Sequence, residues 1–365
     1  MEASKAYLAI VCLGIFAVMA LSNAIVPVLP AFAGPSAWQG AIYAAYFFGA
    51  FLSTLPGGIL ADRHGSVPVI RVGLLMTVAA GILLFFTTTP VVVVIMRGCE
   101  GIGAGLFVAA ALSYVNSRAD HTRMSGYYMA MLNLGLVLGL IVAGLLAVRF
   151  AQPALGIGVF TLISLVVLGG SAVTGNRQIL PSKSGGTANI SAFIRDNVWL
   201  WYSAVILVGI TGVVSSLYPK FSHDAPDTLG LWIAGMSIAT IVTVLAVTRI
   251  PFPPVPVIRW SALFMAAGVL ITYVTPLGFI ILGSLAGVVM IAQMAYLSGV
   301  SDHQGLLMGL FSTASYLGMA ILPFLAGVIA DTGGFLAAFV VTAILGGTVV
   351  VTTGWYGCRP YCPAE

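Results

Sequence analysis

The sequence predicts an all-α membrane protein of twelve transmembrane helices, arranged as two six-helix bundles related by a pseudo-twofold axis. Three observations predict it. Of the 365 residues, 60% are hydrophobic and only 7% charged, against roughly 25% charged in a soluble domain. The apolar residues fall in continuous runs of about twenty, the length a helix needs to cross a bilayer core of about 30 Å. Short patterns also recur between the two halves in the same order. A soluble fold of this size cannot cover so much apolar surface with so few polar groups. In a bilayer only helices and closed barrels satisfy their own backbone groups, and barrel strands would alternate apolar and polar residues over about ten positions.

Spans are expected near 7–31, 37–60, 68–88, 91–116, 125–148, 153–174, 197–218, 229–248, 257–275, 277–299, 305–330 and 335–356. The first apolar stretch is longer than the ~7–15 residues of a signal-peptide core, so it reads as a span. Connections are short, which makes sequential helices antiparallel neighbours. The exception is 175–196, GNRQILPSKSGGTANISAFIRD, a polar stretch with Gly, Ser and Pro. That composition marks a linker between an N-terminal bundle, 1–174, and a C-terminal bundle, 197–365.

Charge tests the span count independently. The net charge is +4, from 14 Lys+Arg and 10 Asp+Glu, and no basic run suits nucleic acid. With the N-terminus inside, the inner loops and tails hold Lys5, Arg63, Arg71, Arg118, Arg123, Arg177, Lys183, Arg195, Arg249, Arg259 and Arg359, and the outer loops only Arg149 and Lys220. That asymmetry follows the positive-inside rule. It implies an even number of spans, both termini cytoplasmic, and a multi-pass protein of the cell membrane. Cys12 and Cys99 fall in spans. Cys358 and Cys362 stand in the tail, where two thiols do not complete a tetrahedral metal site. No metal or cofactor is expected.

Internal repeats support two halves. VPVIR at Val67–Arg71 recurs at Val255–Arg259, each opening the third span of its half. Pro30 and Phe32 echo Pro219 and Phe221, and Asp120–His121 echoes Asp302–His303. Gly126, Gly135, Ala143 and Gly144 match Gly309, Gly318, Ala326 and Gly327 at one constant offset. Parallel repeats of six helices are a recurring plan of secondary transporters.

Three local motifs carry a family resemblance. The loop after span two reads GGILADRHG, with Gly58, Leu60, Asp62, Arg63 and Gly65. Span four holds RGCEGIGAG, with Arg97, Glu100, Gly101, Gly103 and Gly105. Span five carries Gly126, Gly135, Gly139 and Gly144. Together they resemble the major facilitator superfamily, in its signature loop, its fourth-helix motif and the fifth-helix glycine motif of its proton-coupled drug antiporters. The chain departs from that pattern at Ser66 and Val67, where basic residues are usual, and at Leu140, where the antiporter motif has Pro. Pro323 takes the equivalent place in the second half.

The resemblance implies that Asp62 acts as a conformational latch beside Arg63, between Gly58 and Gly65, holding one closed state against a neighbouring helix end. The other reading of Asp62 is an exposed cytoplasmic charge. Arg97 and Glu100 are the charged residues placed inside the membrane. Such charges face a bundle interior or an aqueous cavity, and three positions apart they share a helix face. They read either as a structural ion pair or as groups on the substrate and proton pathway. All four histidines and every other acid lie at helix ends or in loops, so Glu100 is the proton-carrier candidate if transport is proton-coupled. The resemblance places helices one, four, seven and ten around a central cavity, making Asn23, Gln293 and Tyr296 candidate contacts, with Asn133 a further polar residue in span five. Each can equally be a helix–helix hydrogen bond. Tyr43, Tyr46, Ser215 and Ser216 are weaker candidates. Trp199, Trp201 and Tyr202 read as an interfacial aromatic belt. The span-five glycines read as helix-packing positions.

Function narrows accordingly. A secondary transporter moving a small organic solute by alternating access is expected, with proton-coupled efflux of a drug-like or metabolite substrate first. An uncoupled facilitator or importer stays open, as does a non-transporting sensor or assembly factor on the same scaffold. No HExxH, nucleophile–base pair or in-span His points to an enzyme, and no P-loop points to an ATP-driven pump. The expected partners are the solute, the lipid bilayer and, if transport is coupled, protons. A monomer is expected.

Overall fold

The structure is a computed structural model describing residues 2–117, 121–174, 194–195, 197–248, 250, 252–298 and 304–356. Among these residues the chain is helical, with no strand. The first half comprises α1 (Glu2–Ala24), α2 (Ser36–His64), α3 (Ser66–Phe86), α4 (Pro90–Asn116), α5 (His121–Phe150) and α6 (Leu155–Thr174). The second comprises α7 (Val198–Phe221), α8 (Pro226–Val247), α9 (Pro254–Val274), α10 (Gly278–Ser298) and a last stretch, Gln304–Tyr356.

That last stretch holds two crossings. Eleven apolar segments are long enough to span a membrane, and the last runs 45 residues, Gly309–Thr353. Straight, it would reach roughly 67 Å, over twice the bilayer core. Gly334 breaks it with φ 85° and ψ 164°, a backbone region that glycine enters without steric cost. The neighbours show the reversal. Gly318 packs on Val205 and Phe335 on Phe221, so residues 304–333 run parallel to α7. Phe339 also packs on Phe221, while Thr348 bonds to Tyr202 at 2.6 Å, so residues 335–356 run back. These are α11 (304–333) and α12 (335–356), which complete twelve crossings.

Helix ends follow local chemistry. Pro90, Pro226 and Pro254 open α4, α8 and α9, where the missing N–H is not needed. Gly65, with φ 88°, joins α2 to α3. Pro27 cannot donate to the Asn23 carbonyl. The chain after α1 accordingly passes through a 3-10 turn, Val26–Val28, and one helical turn, Leu29–Phe32. α7 carries only Pro219 and stays continuous to Phe221.

Packing repeats with an offset of six helices. α2 packs on α4 and α8 on α10; α3 on α4 and α9 on α10; α1 on α5 and α7 on α11. Across the halves, α2 meets α11 and α5 meets α8. Large apolar side chains such as Leu75, Phe86 and Leu245 point outward, as expected where the solvent is lipid. Trp199 departs from the belt expectation: it is buried and packs edge-on against Tyr296.

Candidate functional site

A cavity of about 400 Å³ lies between the halves. Five methionines line it: Met19, Met236, Met265, Met290 and Met319. Tyr43, Tyr46, Phe47, Phe311 and Tyr316 supply aromatic surface, and Asn23, Asn133, Thr211, Ser215, Thr240 and Gln293 supply polar groups. No charged side chain is among its lining residues. Unbranched thioethers adapt to varied ligand shapes and contact aromatic rings favourably. A few polar groups on an apolar wall orient a solute without demanding charge.

The polar residues are not equally available. Asn23 spends its amide N–H on the Leu136 carbonyl, 3.0 Å away across α1 and α5. Asn133 donates to Met129 on its own helix at 2.8 Å. Gln293 Nε2 donates to Ser203 Oγ at 3.0 Å, while its buried Oε1 has no protein partner. That orphan acceptor suits a solute N–H or O–H. Tyr296 is not among the lining residues; it donates to Asn197 Oδ1 at 3.2 Å.

Arg97 and Glu100 stand behind this wall. One Arg97 nitrogen donates to Glu100 Oε2 at 2.7 Å, and another to the Ser22 carbonyl at 3.0 Å. The guanidinium carbon lies 4.5 Å from the centre of the Tyr46 ring, so Tyr46 screens the pair from the cavity. Glu100 Oε1 and Arg97 Nε are buried without protein partners.

The halves close at one face. Call the side where α1 starts and α12 ends the terminal face. At the other face a Cβ on Gly40 would strike the Pro323 carbonyl oxygen, and one on Gly327 the Ser36 oxygen. Gly144 sits equally close to Pro226, and Gly230 to Leu140. Toward the membrane centre, Tyr43 meets Met319 and Phe47 meets Tyr316. These cross-half contacts lie at or beyond the level of Phe47, away from the terminal face.

Asp331, at the end of α11 where the polar DTGG stretch interrupts the apolar run, ties this closed face. Its oxygens accept from the backbone N–H of Ser36 at 2.8 Å and Ala37 at 2.7 Å. Lys220 Nζ stands 3.5 Å away. Burial raises the Asp331 pKa, but the Ala37 and Ser36 amides and the Lys220 charge outweigh it and hold the carboxyl below its ordinary range.

The motif expected in a loop lies instead at the end of α2, with only Gly65 between helices; Asp62 and Arg63 are exposed on the terminal face, and Gly58 borders open space. Of the span-five glycines, Gly135 and Gly139 press on α1 at Phe16 and Ala20, Gly144 presses across the seam, and a Cβ at Gly126 would meet nothing within 4 Å. The linker, apart from residues 194–195, and the tail cysteines Cys358 and Cys362 lie outside the described residues. Sequence reasoning missed the cavity methionines and Asp331. The methionines sit on five helices with no shared spacing, and Asp331 has its partners about 295 positions away.

The family model for the Major Facilitator Superfamily matches residues 11–271. A quinolone resistance protein, NorA of Staphylococcus aureus (strain MSSA476), is 24% identical over 337 residues, covering 84% of this chain and 85% of that protein. A methylenomycin A resistance protein of Bacillus subtilis (strain 168) is 30% identical over 181 residues, 44% of this chain and only 37% of that protein's length. Among solved structures, a bacterial homolog of the human lysosomal transporter Spinster superposes with a TM-score of 0.78 at 13% identity, covering 99% of this chain and 98% of that one. The nucleoside transporter NupG superposes at 0.75 with 11% identity, covering 99% and 100%.

Proposed function

Because the chain belongs to the Major Facilitator Superfamily, we propose that it is a transporter that exports a small, largely apolar organic solute by alternating access, in exchange for protons. The observation that carries this is the cavity, walled by both halves, rich in methionine and aromatic surface, and free of charged lining side chains. Phosphates or dicarboxylates would want cations in that wall; amphipathic aromatic solutes would not. Two of the relatives named above are drug-resistance proteins, which favours export. The bundles divide at 175–196, both termini are cytoplasmic in the cell membrane, and the monomer is the working unit. Glu100 is the proton carrier, Arg97 its partner, and Asn23, Asn133 and Gln293 orient the solute.

One observation favours a second reading, an uncoupled facilitator. Glu100 is held by Arg97 at 2.7 Å behind the Tyr46 ring, so no carboxyl lines the cavity. Purified protein in vesicles loaded with a fluorescent quinolone decides between the two. Efflux that accelerates with an imposed pH gradient supports exchange; efflux indifferent to the gradient supports the facilitator; no protein-dependent flux of quinolone, tetracycline or a nucleoside counts against transport of this solute class.

A further inference from the structure

We propose that Asp331 is a positioning residue of the transport cycle: its carboxylate caps the N-terminus of α2 across the seam and locks the face opposite the termini. The proposal rests on the alternating-access reading above. α2 begins after Pro35, which offers no side-chain cap. The first-turn amides of a helix need acceptors from elsewhere. Here the acceptor comes from the other half of the molecule. Asp331 Oδ1 takes the Ser36 N–H and Oδ2 the Ala37 N–H, so both oxygens are engaged by one helix end. A carboxylate there also meets the positive end of the helix dipole.

The carboxylate is anchored on its own side. Lys220, near the end of α7, stands 3.5 Å from Oδ1 and 6.0 Å from the Phe335 ring centre. Separation of the halves would therefore strip both amide bonds at once and leave Asp331 paired with Lys220 in water. Nearby, Gly327 brings the α11 backbone against Ser36, so the approach that makes the cap leaves no room for a larger side chain. On the terminal face the counterpart carboxylate, Asp62, is exposed and makes no ion pair among the described residues. One face is latched, and on the other Asp62 makes no matching contact among the described residues, as an alternating device requires.

The test uses the full chain with its four cysteines replaced by serine and one cysteine introduced at Ile233, a buried position beside the seam. Oriented vesicles are labelled with a membrane-impermeant maleimide from each face in turn. Asp331→Asn should raise labelling from the opposite face about tenfold, the loss expected for charge-assisted hydrogen bonds, and lower it from the terminal face. Asp331→Glu should restore most of the closure. Ser36→Pro deletes one amide donor, together with the Ser36 hydroxyl, at a first-turn position that tolerates proline; it should shift labelling the same way, about threefold, with the carboxylate itself left in place. Unchanged labelling in Asp331→Asn and Ser36→Pro overturns the proposal, and so does an equal rise from both faces, which would report general loosening. If Asp331→Asn does not fold, Ser36→Pro decides alone. Labelling needs no solute, so a failure of quinolone flux with the labelling shift intact would count against the solute reading and leave the latch standing.

Discussion

Arg97 donates to Glu100 at 2.7 Å, with both side chains 1% exposed, and the pair is separated from the central cavity by the Tyr46 ring. Two opposite charges in a bilayer core are tolerable only because each neutralises the other. Removing Arg97 alone should therefore damage the fold: Arg97→Ala should cost about 3–5 kcal/mol of stability, read as a lower midpoint in thermal unfolding in detergent. A midpoint equal to that of the parent protein would show the pair to be dispensable.

Glu100→Gln keeps the shape and one acceptor while removing the titratable proton. Gradient-driven quinolone efflux should collapse at least tenfold, while binding and solute exchange survive. Efflux that still follows the gradient would take Glu100 out of the proton pathway.

The seam offers a paired comparison. A Cβ added at Gly144 would collide with the Pro226 carbonyl, whereas one at Gly126 would meet open space. Overpacking costs about 1–3 kcal/mol. Gly144→Ala should therefore open the sealed face several-fold, measured by maleimide access at Ile233→Cys, and Gly126→Ala should leave access as it was. Equal responses in the two variants would refute a close-packed gate.

If the exposed Asp62 carboxylate holds the closed terminal face, Asp62→Asn should slow turnover more than it weakens quinolone binding. The expected signature is a fall of several-fold in maximal efflux with half-saturation unchanged. Parent-like turnover would make Asp62 an ordinary surface charge.

Closure at the other face should depend on pH in a defined direction. The Asp331 pKa lies below its ordinary value, so the latch is favoured when the group is ionised. Its contribution is complete above about pH 4–5 and is lost as pH falls through the lowered value. Lys220 on α7 and the nearby His223 and Asp224 are the other titratable groups to control for by substitution. The distance between spin labels at Gly34 and Thr332 should be flat from pH 8 to 5 and lengthen only in stronger acid. A lengthening already complete above pH 5 would contradict the assignment to Asp331.

Much of the architecture was legible because a bilayer imposes length and composition on every crossing. The VPVIR repeats and the paired glycines at Gly144 and Gly327 mark two halves in the sequence itself. The last two spans were separable in sequence because residues 331–334, DTGG, interrupt the apolar run, and Gly334 performs the turn. Site chemistry was legible only where it was ionic: Arg97 and Glu100 stood out because charge is rare in lipid. Tyr296 and Trp199 were less clear, since an aromatic near a helix end serves a lipid interface and a buried contact equally well. Met236, Met265 and Met290 look like any lipid-facing residue until the helices are assembled. Asp331 looks like a loop acid until the start of α2 arrives beside it.

The most direct test of alternating access is a pair of distances measured by spin labels on exposed positions. One pair, at Gly34 and Thr332, spans the seam at the closed face; the other, at Arg63 and Val198, spans the terminal face. Saturating quinolone with a change of pH should lengthen the first distance and shorten the second in the same molecules. Distances that stay fixed, or that lengthen together, would contradict a cavity presented to each side in turn.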